Sequence, residues 1–199
     1  MEFEFERERK PLRKRIWFQL LTWIVPLALA VILAWGVILF SVEKTVMSGA
    51  SMEPTLADGT QIVINKASYQ LGDPDRFDVI VFKQSGSEHS YYNIKRVIGL
   101  PGETVVIEDG VIYIDGEELK EPIIVEEVRA AGLAGEAITL EENEYFVLGD
   151  NRNNSEDSRF ANIGCIVRED IIGKAWLTLS PFNLVGTLNR APDTVEDEE

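Results

Sequence analysis

The 199-residue chain has one histidine, one cysteine and few cations. One Cys and one His leave no cluster for a zinc or other transition-metal site. A hard-metal site of carboxylates stays open, although no EF-hand spacing is present. Cys165 has no second cysteine to pair with, so the fold must hold without an intramolecular disulfide. Nineteen Lys and Arg stand against 34 Asp and Glu, for a net charge of −15. Residues 1–40 carry +2 of this and residues 41–199 carry −17. A phosphate-binding surface needs a basic stripe, so nucleic acid is excluded as a partner. The acidic excess reads as a solubilising surface.

One apolar stretch is long. Ile16 to Phe40 contains no Asp, Glu, Lys or Arg. As a helix it would rise roughly 37 Å, against a hydrocarbon core of about 30 Å. A signal-peptide apolar region spans only about 7–15 residues, so a permanent transmembrane helix is expected at 16–40. Ser48 and Ala50 form a small-x-small pattern, but ten positions beyond the run. Six cations precede the stretch (Arg7, Arg9, Lys10, Arg13, Lys14, Arg15), and only Lys44 closely follows it. The positive-inside bias places a 1–15 tail in the cytoplasm and the rest of the chain outside. The expected organisation is that tail, the span, an extracytoplasmic domain at 41–190 and a disordered acidic tail at 191–199.

The domain after the span reads as mostly β. Candidate strands are Gln61–Asn65, Phe77–Phe82, Tyr91–Ile98, Val105–Ile107, Val111–Ile114, Glu144–Leu148 and Ala175–Leu179. Asp109-Gly110 between two of them is a hairpin signal, and Asp115-Gly116 marks the next turn. Short strands with frequent Gly and Pro turns predict an antiparallel barrel-like or sandwich domain. Glu121 to Gly135 contains Pro122, Gly132 and Gly135 and reads as a loop. Arg168 to Ile172 reads as a single turn.

Ser51 lies eleven positions past Phe40, within small residues and before Pro54. Alone it is an ordinary turn serine, since serines before prolines are common. Its usual helper would be a histidine, but His89 sits in Ser-Gly-Ser-Glu-His-Ser, the composition of an exposed loop tip. Lys95 offers another base. Strand alternation puts Lys95 on one face and Arg96 on the other, so one of the two cations faces an apolar interior. Burial lowers a lysine pKa and lets the neutral amine accept a serine proton. Against this, most strand lysines snorkel or pair with an acid, here Asp78 or Asp157. The segment from Gly149 to Arg159 is dense in polar side chains. It reads either as a surface loop with Asx turns or as a hydrogen-bonded support, with Ser155 near a lysine amine and Asp157 paired to Arg159.

Four stretches in order resemble the successive boxes of type I signal peptidases. They are Ser51-Met52-x-Pro54-Thr55-Leu56, Phe77 to Phe82, Lys95-Arg96-Val97-Ile98-Gly99-x-Pro101-Gly102, and Gly149-Asp150-Asn151 through Ser155-x-Asp157-Ser158-Arg159. The resemblance runs from the span to about Pro181. It implies a serine endopeptidase that removes signal peptides from exported preproteins, works at the bilayer surface and uses no cofactor. Ser51 would be the nucleophile and Lys95 the general base. Ser155 would hydrogen-bond the lysine amine, and Asp157 and Arg159 would form a structural ion pair. Substrates would carry small residues at the first and third positions before the cut and bind extended, beside strands. One position departs from some bacterial members. Gly49 stands where they carry a hydroxyl residue that helps form the oxyanion hole, and Ser48 is not assigned to that role. The glycine and the single span resemble Gram-positive and related enzymes. A self-cleaving repressor-type Ser–Lys peptidase would lack the span. An inactive homologue serving as a membrane-tethered binding or assembly protein is the alternative from another class.

Overall fold

The computed structural model describes residues 21–32, 36, 41–70, 72–83 and 92–189. The chain divides into two compact units, Met1–Ser41 and Val42–Glu199. In the first, residues 21–32 are helical. Most of the rest of the expected span lies outside the described residues, as do the 1–15 tail, His89 and the 191–199 tail. Among the described residues no helix is long and apolar enough to cross a membrane.

The second unit is mostly β, and its strand pairings are antiparallel. The strands are β1 (Val42–Val46), β2 (Gln61–Asn65), β3 (Val79–Lys83), β4 (Tyr92–Gly99), β5 (Thr104–Glu108), β6 (Val111–Ile114), β7 (Glu117–Glu118), β8 (Ile138–Thr139), β9 (Glu144–Leu148), β10 (Ile166–Val167), β11 (Ile171–Leu179) and β12 (Phe182–Leu184). The larger sheet runs β1-β2-β11-β3-β4-β9-β10, with β12 beside β11. The smaller runs β7-β6-β5-β8. Register shifts in β11 and between β4 and β9 mark bulges, which bend a strand and increase its twist.

Local sequence explains the connections. Asp109 and Gly110 both have positive φ, 47° and 85°, as a two-residue I′ hairpin turn requires. Asp115 and Gly116 repeat the pattern between β6 and β7. The expected strand at Phe77 starts later, because Phe77 has a φ of 71°. Its N–H still donates to Val97 O, and Val97 N–H donates to Asp78 O, so the entry to β3 stays tied to β4. The 121–135 stretch is a loop that ends in a 3₁₀ turn, Gly132–Gly135. The single turn expected within Arg168–Ile172 is a 3₁₀ turn, Arg168–Asp170.

Three apolar clusters fill the unit. The first joins Met47, Met52, Leu56, Ile62, Ile64, Val81 and Ile94. The second packs the smaller sheet against Ile98, Phe146 and Leu148. The third gathers Ile80, Phe82, Val97, Val147 and Ile171. Strand β4 contributes to all three and is buried continuously from Ile94 to Gly99. It is therefore covered on both faces, and Lys95 and Arg96 are both buried. This corrects the expectation that only one of the two cations faces inward. Alternation assigns a face, but it does not show that the second face is also covered.

Packing leaves no room at Gly173 on β11. A Cβ there would meet Asn65 O at 2.7 Å and Ile64 Cγ2 at 2.8 Å. Gly173→Ala is expected to lower stability by about 1–3 kcal/mol through overpacking, read as a reduced urea midpoint with unchanged slope.

Candidate active site

The segment after Ser51 is held by its own apolar residues. Met52 is fully buried and Leu56 nearly so, both in the first core cluster. Leu56 N–H donates to Met52 O at 2.9 Å and Glu53 N–H to Ala50 O at 3.1 Å, which closes the turn. Burying side chains of this size stabilises by about 1.5–3 kcal/mol each. Met52 and Leu56 thus anchor the turn, and Ser51 at its start stays partly exposed.

The Lys95 amine arrives from β4. Lys95 lies opposite Ile80 on β3, and Val97, two residues on, lies opposite Val147 on β9. Its Nζ donates to Ser51 Oγ at 2.8 Å. Burial pushes the Lys95 pKa down to about 8, although the carboxylates of Asp157, Glu156 and Asp150 pull it back up. Neither acid weighed as its partner takes that role by direct contact. Asp78 instead accepts from Lys174 and from the Tyr69 hydroxyl.

Asp157 is paired with Arg159, whose Nε donates to Oδ1 at 2.7 Å and whose Nη2 donates to Oδ2 at 2.8 Å. Both residues are buried. Asp157 also accepts from Gly149 N–H at 3.0 Å. Arg159 Nη2 reaches Arg152 O at 2.6 Å, and Nη1 reaches Ala130 O at 3.2 Å. The pair therefore braces the loop from inside.

Ser155 differs from its expected role. Its Oγ is buried and makes no hydrogen bond, so the expected bond to the Lys95 amine is not formed. The hydroxyl packs instead against the α-carbon of Gly149. A Cβ on Gly149 would lie 2.2 Å from Ser155 Oγ and 2.4 Å from Ser51 O. Ser155 and Ser51 therefore converge on one small space that only glycine leaves open.

Four residues quoted in the boxes carry structural work that their spacing did not reveal. Arg96 Nε donates to Asp150 Oδ1 at 2.8 Å, and Arg96 Nη2 donates to Oδ2. Asp150 also accepts from Thr55 Oγ1. Asn151 N–H donates to Ser51 O at 3.1 Å, and its side-chain amide donates to Ala50 O at 3.0 Å. The signal available was the polar character of Thr55, Asp150 and Asn151 beside apolar core positions. Such residues need partners when buried. Gly49 N–H donates to Asp58 Oδ1 at 2.7 Å and is engaged there.

Residues 20–180 match the family described as signal peptidase, peptidase S26. The chain belongs to this family. Signal peptidase I of Bacillus licheniformis is 34% identical over 171 residues, covering 82% of this chain and 90% of its own length. A probable signal peptidase I-2 of Synechocystis is 39% identical over 166 residues, covering 80% and 72%. A solved signal peptidase I from Enterococcus faecalis is 33% identical, covers 52% of this chain and 97% of its own, and has a TM-score of 0.40. The chain is thus a serine peptidase, a hydrolase.

Two outcomes follow for this peptidase. Removing one partner of the buried Arg96–Asp150 pair leaves an uncompensated charge, so Asp150→Ala is expected to cost about 3–5 kcal/mol, measured by urea unfolding. Lys95 keeps an ordinary pKa near 10.4 when unfolded, against about 8 in the fold. Stability present above pH 10 is therefore lost as pH falls toward 8 and stays lost below it. Lys95→Met is expected to raise the melting temperature at pH 7, with a gain that shrinks as pH approaches 10.

Proposed function

We propose that this peptidase removes N-terminal signal peptides from exported preproteins, with Ser51 as nucleophile and Lys95 as general base. The observation that carries the reading is the 2.8 Å contact between Lys95 Nζ and Ser51 Oγ, made by an amine whose pKa burial brings down to about 8. An amine with that pKa is neutral in a useful fraction of molecules near neutral pH, and such a base works best when its pKa lies near the working pH.

In the proposed sequence, Lys95 takes the Ser51 proton as Ser51 Oγ attacks the scissile carbonyl. The Ser51 backbone N–H is the donor assigned to the developing oxyanion. Lys95 then passes its proton to the leaving amine, and an acyl-enzyme forms between Ser51 Oγ and the signal peptide's last residue. The same amine next takes a proton from water, whose oxygen attacks the ester and restores Ser51. Asp157 and Arg159 keep the Gly149–Arg159 loop in place beside Ser51 and Lys95.

The substrate binds extended beside the strands that lead to Ser51 and Lys95, with small residues at the first and third positions before the cut. Residues 16–40 are assigned as the membrane anchor, with the N-terminus cytoplasmic and the peptidase unit outside. That topology puts the peptidase unit on the side of the membrane where signal peptides emerge.

The full chain in detergent is expected to cleave a preprotein with Ala at the first and third positions before the cut. Ser51→Ala and Lys95→Ala should each lose at least a thousandfold in kcat/KM. Near-normal cleavage by either variant would remove the assignment. The acid limb of kcat/KM should fall near pH 8, because protonation of Lys95 removes the base. His89→Ala should leave this limb unchanged, whereas its loss there would point to a histidine base.

A further inference from the structure

A cleft of about 390 Å³ opens immediately past Ser51. Its size lies within the range of about 300–1,000 Å³ typical of ligand clefts. One wall is Glu53 and Pro54, two and three residues after the serine. The floor is Asp150, Asn151 and Arg152, and the far wall is Ile124, Val125 and Glu126 from the 121–135 loop. Asn151 joins the cleft to the site, since it holds the carbonyls of both Ala50 and Ser51.

The loop that forms the far wall is fastened in place. Arg152 and Glu121 form a buried, two-pronged ion pair. Asn153 donates to Glu126 Oε2 and Glu127 O, and it accepts from Arg129 N–H. At Gly132 a Cβ would meet Arg159 O at 2.3 Å.

The charges of the cleft sort into two sets. In the floor, Asp150 is neutralised by Arg96 and Arg152 by Glu121. Toward solvent stand Glu53 and the exposed Glu126, whose cationic neighbour Arg129 is itself exposed at 3.5 Å. Ile124, 59% exposed, supplies an apolar surface at the rim. The cleft therefore offers an apolar strip under net negative charge.

We propose that this cleft receives the first residues of the mature protein, just after the scissile bond, and favours basic over acidic side chains there. The inference rests on the signal-peptide cleavage proposed above. Its occupant follows from continuity. The polypeptide before the cut is assigned to the strands that lead into Ser51 and Lys95. The polypeptide after the cut must leave past Ser51, and the Glu53–Asn151 side is where an open cleft adjoins it. Glu53 and Glu126 are thus specificity-determining residues for the positions after the cut.

The test uses the full chain in detergent and two preproteins that share one signal peptide. One carries Lys at the second and third positions after the cut, and the other carries Glu. The wild type is expected to favour the Lys preprotein about three- to tenfold in kcat/KM, as two partly exposed charge contacts allow. The preference should shrink in 0.5 M salt. Glu53→Gln with Glu126→Gln should abolish it, and Glu53→Lys with Glu126→Lys should reverse it. Glu108→Lys, on β5 away from the cleft, should leave it unchanged. Thermal melts of each variant report whether it is folded. Equal cleavage of both preproteins by the wild type would overturn the inference and leave the proposed function standing. A preference that survives both double substitutions would also overturn it. Cleavage of neither preprotein by the wild type would remove both readings.

Discussion

The ion pair between Arg96 and Asp150 joins the two halves of the site. Arg96 follows Lys95 on β4, and Asp150 precedes Asn151, which grips the Ser51 segment. Both partners are buried, and the pair is well satisfied. Arg96 also donates to Phe77 O at 2.8 Å, and Asp150 also accepts from Thr55. A buried ion pair gains little net stability over an apolar substitute, because desolvating two charges is costly. What it supplies here is position. Thr55 and Ser51 belong to one turn, so a single carboxylate ties the strand that carries the amine to the turn that carries the hydroxyl.

This arrangement also accounts for the chemistry around the amine. Three carboxylates (Asp157, Glu156 and Asp150) would on their own raise the Lys95 pKa. Desolvation outweighs them. Asp157 and Asp150 are each paired with an arginine. The two arginines fix the loop geometry, and the low pKa of the amine comes from its burial.

Much of this was legible in the sequence. Turn chemistry placed the β5–β6 hairpin at Asp109-Gly110 and the turn after β6 at Asp115-Gly116, because only a few residue types accept positive φ. Apolar runs located β2, β3, β9 and the end of β11. The boxes around Ser51, Lys95 and Arg159 marked the segments that meet. What sequence could not supply was coverage and orientation. Whether both faces of β4 are covered depends on strands distant in the chain. Ser155 was expected at the lysine, yet its hydroxyl rests against Gly149, a contact set by backbone path. Asp150 and Thr55 carried no role on paper, since a short polar side chain reads the same in a solvated turn as in a buried clamp. The loop at 121–135 had no periodicity at all. Its order comes from Arg152, Asn153 and Arg159, whose bonds to it span 24 to 31 positions.

The dry setting of Lys95 has a consequence for how the protein would fail. The amine reaches its low pKa because water is kept out, and no fixed cation holds it there. Any local opening between β4 and the Gly149–Arg159 loop would readmit water, and the amine would take up a proton again. The proposed base would then be lost while most of the sheet remained folded. Activity would therefore sense the tightness of one seam, well before any measure of global unfolding registered a change.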